Sequence, residues 1–414
     1  MGQAFFGLAA LLFIAFLFSE NRWRIRWRTV AAGVILQLLF AVVLIGVPAA
    51  NRVLFYVNDA ANAVHHATEA GTRFVFGYLG GGALPFAETH PGASFILAFQ
   101  ALPLVLTISA MASLLFHWGI LQRVTAAFAW LLRRWMGIGG PLALGAAVHI
   151  FVGMVEAPLL VRPYLARMQR GELFALMTCG MAGVAGTVMV IYGAFLHAVV
   201  PNALGNILIA SVISTPAALA VAALMVPFGP PEAAEGRLTI DDPPAGAMDA
   251  LVKGTMDGVP ILVAIVATLL VTVSLVTLLN MGLDLLPDWD GGAITLQRIA
   301  AIPFRPVMWL IGIPWAETAA ASSLMATKTV LNEFVAYLNF STLPPETFSP
   351  RSRMIMTYAL CGFANFGSLG IVIGGLGALV PERRREIVGL GMRSILAGTL
   401  ATCMSGAVAG MLHG

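Results

Sequence analysis

Polar and apolar positions along this chain fall into long blocks, with no short repeating period. Apolar runs near 3–19, 29–47, 92–118, 173–196, 206–227, 258–283, 354–380 and 389–411 each approach or exceed the roughly 20 residues that a helix needs to cross the hydrocarbon of a bilayer. Alternating decads of the kind that build a membrane barrel are absent. Residues 51–77, "NRVLFYVNDAANAVHHATEAGTRFVFG", are too polar to span and predict an amphipathic helix lying at the interface, with His65 and His66 on its polar face and no metal site there. A second interfacial helix is predicted over 295–313. Residues 228–249 are Pro/Gly-rich and acidic, a solvated linker, and 284–292 form a shorter polar loop.

Two apolar stretches, 139–170 and 314–340, do not fit as spans. Each is interrupted, and each lies between polar segments that belong to one side. A hydrophobic stretch that enters and leaves on one side is a re-entrant hairpin, and irregular backbone at its tip is tolerated only where it is buried in protein or lines a wet cavity. The first contains "HIFVGMVEAPLLVRPYL", 149–165, where Gly153 and Pro158 flank Glu156. Such a tip predicts a polar cavity in front of it.

Composition narrows the class. The chain is 59% hydrophobic and 10% charged, with mean hydropathy +0.89, against about 25% charged in soluble domains. The net charge of +3 is carried in short loops, where it marks topology and not a nucleic-acid footprint. Arg22/Arg24/Arg26/Arg28, Arg123/Arg133/Arg134, Arg162/Arg167/Arg170, Arg237/Lys253 and Arg383/Arg384/Arg385/Arg393 alternate so as to share one side, and they hold 16 of the 23 basic residues. That side is expected to be cytoplasmic, with both termini on the outer side of a bacterial inner membrane. The first segment lacks a basic leader and a clear cleavage site and is expected to stay as a span. Cys179, Cys361 and Cys403 show neither disulfide nor metal spacing and are expected to pack. Metalloprotease, P-loop and hydrolase-elbow motifs are missing, so no enzyme is predicted.

The two hairpins are followed by similar segments. After the first comes "GMAGVAGT", 180–187, and after the second "GFANFGS", 362–368. Both are small-residue, hydroxyl-bearing breaks inside an apolar span. The next spans also correspond, "GNILIASVIS" (205–214) with "GMRSILAGTLAT" (391–402). By the charge count the hairpins enter from opposite sides. An inverted repeat with broken helices is a transporter signature, with the substrate site near the midplane where the breaks meet.

At 326–337 the sequence reads "ATKTVLNEFVAY". This resembles the signature of the concentrative nucleoside transporters, Gly/Ala-x-Lys-x-x-x-Asn-Glu-Phe-Val-Ala-(Tyr/Met/Phe). "SRMIMTYALCGFANFGSLGIVIGGLGALVPERR" (352–384), "GMVEAPLLVRPYL" and "FQALPLVLTISAMASLL" (99–115) resemble further segments of that family, and the resemblance covers essentially the whole chain. It implies an all-α integral membrane protein with about eight transmembrane helices, two opposed re-entrant hairpins and interfacial helices, of elevator type and homotrimeric. It implies scaffold spans and an interfacial helix in 1–90, a third span and amphipathic connector in 91–138, and the first transport repeat in 139–227. A linker, scaffold span and interfacial helix follow in 228–313, and the second transport repeat in 314–414. It further implies that Glu333 accepts the ribose hydroxyls, with Asn365 and Ser368 beside it and Phe363 lining the pocket, while Glu156 and Val188 face the base. A carboxylate suits a vicinal diol, because it can accept two charge-assisted hydrogen bonds at once.

The chain departs from that family at two places. Gln-Thr before the first-hairpin glutamate is replaced by Met154-Val155, so altered base preference is expected. The asparagine and serine that ligate sodium in coupled members are His149 and Gly183 here. Sodium would lose two oxygen ligands, whereas a histidine titrates near neutral pH, and Glu156 is a second candidate proton carrier. The function expected is therefore secondary active nucleoside import coupled to a cation, H+ before Na+, with no other cofactor. Sodium symport is the alternative within the class, and a non-transporting nucleoside-binding receptor the alternative outside it. Lys328 is read as a structural or interface lysine, Glu317 and Asp257 as caps at helix ends, and His117 and His197 as span-end residues.

Overall fold

A computed structural model describes residues 2–88, 94–154, 156–230, 244–288 and 292–413, and its regular elements are helices. Two spans, α1 (Gly2–Leu17) and α2 (Trp27–Gly46), open the chain. The polar stretch that follows is one long helix, α3 (Pro48–Phe76), as its amphipathic pattern predicts. The third span is α4 (Leu97–Gln100) continued by α5 (Leu104–His117), and the amphipathic α6 (Ile120–Met136) leads into the first hairpin. That hairpin is α7 (Gly140–Val148), an irregular tip, α8 (Glu156–Leu160) and α9 (Arg162–Leu165). A broken span follows, α10 (Arg170–Ala182) and α11 (Gly186–Leu196), then the continuous α12 (Ala203–Met225).

The second half repeats this order. After α13 (Ala247–Leu283) and the interfacial α14 (Leu296–Leu310) come the second hairpin, α15 (Thr318–Val330) and α16 (Glu333–Thr342), a broken span, α17 (Pro350–Leu360) and α18 (Phe366–Leu379), and the continuous α19 (Arg384–Leu412). Each half thus runs hairpin, broken span, whole span. The first hairpin ends beside the far end of α18, where Arg383 donates to the carbonyls of Leu165 and Met168. The second hairpin leads instead into the start of α17. Because α17–α18 crosses the whole thickness, the hairpins enter from opposite faces.

The packing separates two groups of helices. The apolar windows of α12 and α19 are 89% and 83% buried, and α1, α2, α10 and α17 pack on them. The window of α13 is only 6% buried, and its main partner is α5. Small residues allow that contact: a Cβ on Gly254 would stand 2.7 Å from the Ser109 carbonyl oxygen and one on Gly258 3.1 Å from the Ser109 side chain. A small-xxx-small pair is how membrane helices bring their backbones close when burial of apolar surface supplies no driving force. The three cysteines are buried and unpaired. Asp257 does not cap a helix end as expected. The helix begins at Ala247, eleven residues before the apolar run, so Asp257 lies inside α13. Most of the acidic linker, 231–243, lies outside the described residues, as do 289–291 of the shorter loop.

The arginine-rich corners meet on one face. Glu20, in the turn between α1 and α2, accepts from Arg170 in a bidentate pair, 2.9 and 3.2 Å, and from Arg393 at 2.6 Å. Arg383 pairs with Glu386 at 2.8 Å, and Arg26 donates to the carbonyls of Gly137 and Gly229. Both termini lie at the opposite face, since α1 ends at this one and α19 starts from it. The hydrogen bond from Arg170 holds the Glu20 carboxyl below its ordinary value of 4.5. A depressed carboxyl contributes stability that is present above its unfolded pKa and lost as pH falls through the folded one. Glu20→Gln is therefore expected to lower the melting temperature of the purified protein near neutral pH. Thermal unfolding followed across pH checks this: the gap to wild type should close as pH drops below 4.5.

Candidate functional site

Four interruptions of helical structure meet inside the protein: the tip between α7 and α8, the break between α10 and α11, the tip between α15 and α16, and the break between α17 and α18. Each exposes backbone groups that no helix satisfies, and backbone and side-chain hydrogen bonds tie the four together. The amide of Gly186, opening α11, donates to the carbonyl of Phe151 in the first tip at 3.2 Å. The amide of Phe363, in the second break, donates to the carbonyl of Gly183 in the first at 3.3 Å. The side chain of Asn365, also in the second break, donates to Glu333 at the second tip, 2.8 Å. Gly362 permits the crossing of the breaks, because a Cβ there would meet the Met181 carbonyl oxygen at 2.8 Å and a Thr402 methyl at 2.7 Å.

Glu333 is the first residue of α16, capped by the Asn332 side chain, so its carboxylate stands at the positive end of a helix dipole. It is 5% exposed. Both oxygens are engaged: Tyr192 Oη donates to Oε1 at 2.7 Å and Asn365 Nδ2 to Oε2 at 2.8 Å. Asn365 is also the N-cap of α18, its Oδ1 accepting from the amide of Ser368 at 2.7 Å. One amide thereby fixes both the start of a half-helix and the orientation of the acid. Behind this group lies Lys328, fully buried one turn before the tip. Its ammonium donates to the carbonyl of Ala359 at the end of α17, 2.9 Å, and to the Thr402 hydroxyl, 3.1 Å. The structural reading of Lys328 holds, and its charge sits at the negative end of a half-helix.

The first tip builds a different wall. Met154 and His149 are buried against Gly180 of α10. A Cβ there would lie 3.2 Å from His149 Cε1 and 3.3 Å from Met154 Cβ. His149 Nε2 has no hydrogen-bond partner among the described residues. Gly183 stands next to the same turn, a Cβ on it coming 4.0 Å from the His149 carbonyl oxygen. Val188 is buried on α11, and Phe363 lies half-buried in the second break. Val155 and the side chain of Glu156 lie outside the described residues.

Glu333, Asn365 and Ser368 thus come together by direct contact, and His149 lies beside Met154 and Gly183. Tyr192 was not singled out from the sequence. Its signal was a phenol one helical turn after Val188 in an apolar segment, and only the tertiary fold shows that it reaches an acid 141 residues away. His65, His66 and Glu69 do approach one another on α3, at 3.7 and 3.2 Å, yet Arg73 contacts the same carboxylate at 3.7 Å. A cation already occupies that carboxylate.

Two opposed hairpins whose tips meet two broken spans around buried polar side chains define a membrane transporter of the inverted-repeat class. The family follows from comparison. Residues 206–410 match the family model for the C-terminus of Na+ dependent nucleoside transporters, residues 6–79 that for the N-terminus, and residues 98–199 a gate model described as nucleoside recognition. The chain is 36% identical to an uncharacterized transporter of Haemophilus influenzae, over 99% of this chain and 97% of that protein. It is 31% identical to the nucleoside permease NupC of Helicobacter pylori, over 99% and 97%. Its structure resembles that of CNTnw in an inward-facing substrate-bound state, with TM-score 0.88 and 35% identity over 99% of this chain and 97% of that one. An outward-facing CNTnw variant matches with TM-score 0.90 and 34% identity over 99% and 97%. The chain belongs to the concentrative nucleoside transporters, a family of multi-pass membrane transporters and not of enzymes, and it has their elevator-type fold.

The tight crossing of the breaks predicts that Gly362→Ala is destabilising by about 1–3 kcal/mol, the range for overpacking a filled core. The melting temperature of the purified variant should fall accordingly, with Gly370→Ala, whose Cβ meets nothing within 4 Å, as a neutral comparison.

Proposed function

We propose that this protein imports nucleosides by cation-coupled symport across a bacterial inner membrane, with its arginine-rich face toward the cytoplasm and both termini outside. The observation that carries this reading is the buried Glu333 carboxylate. Tyr192 and Asn365 take one lone pair on each oxygen, and a carboxylate has about four. Beyond these two side-chain donors and its own backbone amide, the carboxylate keeps acceptor capacity that suits the vicinal hydroxyls of a ribose. Asn365, Ser368 and Phe363 complete the sugar side. Met154, Val155, Glu156 and Val188 form the base side, where methionine in place of a polar residue accommodates several ring shapes and widens base tolerance. The moving body contains both hairpins and both broken spans. We place α1 and α2 in it as well, because they pack on α12 and α19, which shifts residues 2–46 out of the scaffold. The α5–α13 pair forms the fixed body and the contacts of a homotrimer. Glu333→Gln is expected to abolish uptake of radiolabelled uridine and adenosine by proteoliposomes and their binding to purified protein. Normal transport by that variant would overturn the assignment.

The proposed coupling ion is the proton. A sodium site would need oxygens that His149 and Gly183 do not offer from their side chains, whereas the unpartnered ring nitrogen of His149 is free to take a proton once the tip is hydrated. Uptake is expected to follow an inward proton gradient and to ignore sodium. Dependence on a sodium gradient with indifference to pH would sink this reading. The paired change His149→Asn with Gly183→Ser should create a sodium-dependent component, since a Cβ at 183 meets nothing closer than 3.8 Å.

A further inference from the structure

Tyr192 joins the two halves of the repeat at the acid. It belongs to α11 in the first half, and Glu333 opens α16 in the second. The phenol is 1% exposed. Its ring lies 4.9 Å from that of Tyr337 and 6.0 Å from that of Phe334, so packing on the second hairpin fixes the side chain before any ligand arrives. The 2.7 Å contact to Oε1 has the length of a charge-assisted O–H to carboxylate bond. Asn365 grips the other oxygen from the second half alone. With one side-chain anchor on each oxygen, the carboxylate is held in one orientation, and its remaining acceptor capacity keeps a fixed direction.

We infer that Tyr192 is a positioning residue for the sugar, setting how strictly the transporter tells a ribonucleoside from one lacking a hydroxyl. The inference rests on the reading of Glu333 as the ribose acceptor. Without the phenol, the carboxylate keeps its side-chain anchor at Oε2 alone and swings about that contact. The hydroxyl that meets Oε1 then loses a fixed partner, while the one that meets Oε2 keeps its own. Discrimination therefore falls for one sugar hydroxyl and not for the other. The inference also places sugar recognition across the boundary between the repeats: any displacement of the second hairpin from α11 removes the anchor at Oε1.

The test measures binding to purified protein, using whichever of uridine and adenosine the wild type binds more tightly, with its 2′-deoxy and 3′-deoxy analogues. Tyr192→Phe keeps the ring and its stacking. Its affinity for the ribonucleoside should fall about tenfold, the usual loss for a hydrogen bond to a charged group. The ratio of ribonucleoside to one of the two deoxy analogues should shrink by roughly threefold or more, with the other ratio unchanged. Tyr337→Phe removes a hydroxyl from the same aromatic cluster, one that donates to the Thr357 carbonyl and not to Glu333. It should leave both ratios as they are, which separates sugar positioning from loss of packing. A Tyr192→Phe protein that binds all three ligands more weakly by one common factor, or that does not fold while Tyr337→Phe does, would overturn the role of Tyr192 and leave that of Glu333 standing. A wild type that does not distinguish the three ligands would remove the ribose reading of Glu333 and this inference with it.

Discussion

The structure depends on one constraint: a peptide group inside a bilayer must find its hydrogen-bond partner within the protein. A transporter needs polar groups at mid-membrane, and bare helices offer none. Breaking four helices frees backbone amides and carbonyls at the required depth, and the fold brings the four breaks together so that they hold one another. Gly186 to Phe151, Phe363 to Gly183 and Asn365 to Glu333 form a continuous chain from the first tip to the second. None of these contacts is local in sequence, so the crossing exists only when both halves are folded.

The same breaks arrange charge. Half-helices α11, α16 and α18 begin at the crossing and turn partial positive charge toward it, and α10 and α17 end there with the opposite sign. Glu333 sits at a beginning and Lys328 at an end. An acid and an amine are both held deep in the protein without being bonded to each other, each answered by backbone groups and by neutral donors or acceptors: Tyr192 and Asn365 for the acid, Ala359 and Thr402 for the amine.

Much of this was legible in the sequence, and for a physical reason. A span must be apolar for its whole length, so each of the eight runs becomes a helix or a broken pair, most of them near the predicted bounds, with α13 starting well ahead of its run. The hairpins were legible because Gly153, Pro158 and the carboxylates contradict a continuous span, and the face they enter from followed from arginine. Three things were not legible. The eleven residues before the apolar part of α13 carry charges and are helical at once, and polarity says nothing against a helix outside the hydrocarbon. The docking of α1 and α2 on α12 and α19 is written in Ala, Gly and Leu, residues that would serve equally well toward lipid. Tyr192 reads as one more large residue in an apolar helix, because nothing local marks the tyrosine whose hydroxyl meets a buried acid.

The burial of all three cysteines has a practical side. Cys179, Cys361 and Cys403 lie in α10, at the second break and in α19, within the body proposed to move. In this conformation a membrane-impermeant maleimide finds no native thiol at the surface. A single cysteine placed on the outer end of α11 or the rim of the second hairpin would thus report, by its labelling rate alone, which side of the membrane the carrier faces. The native chain is already the near-silent background that such accessibility measurements otherwise have to engineer.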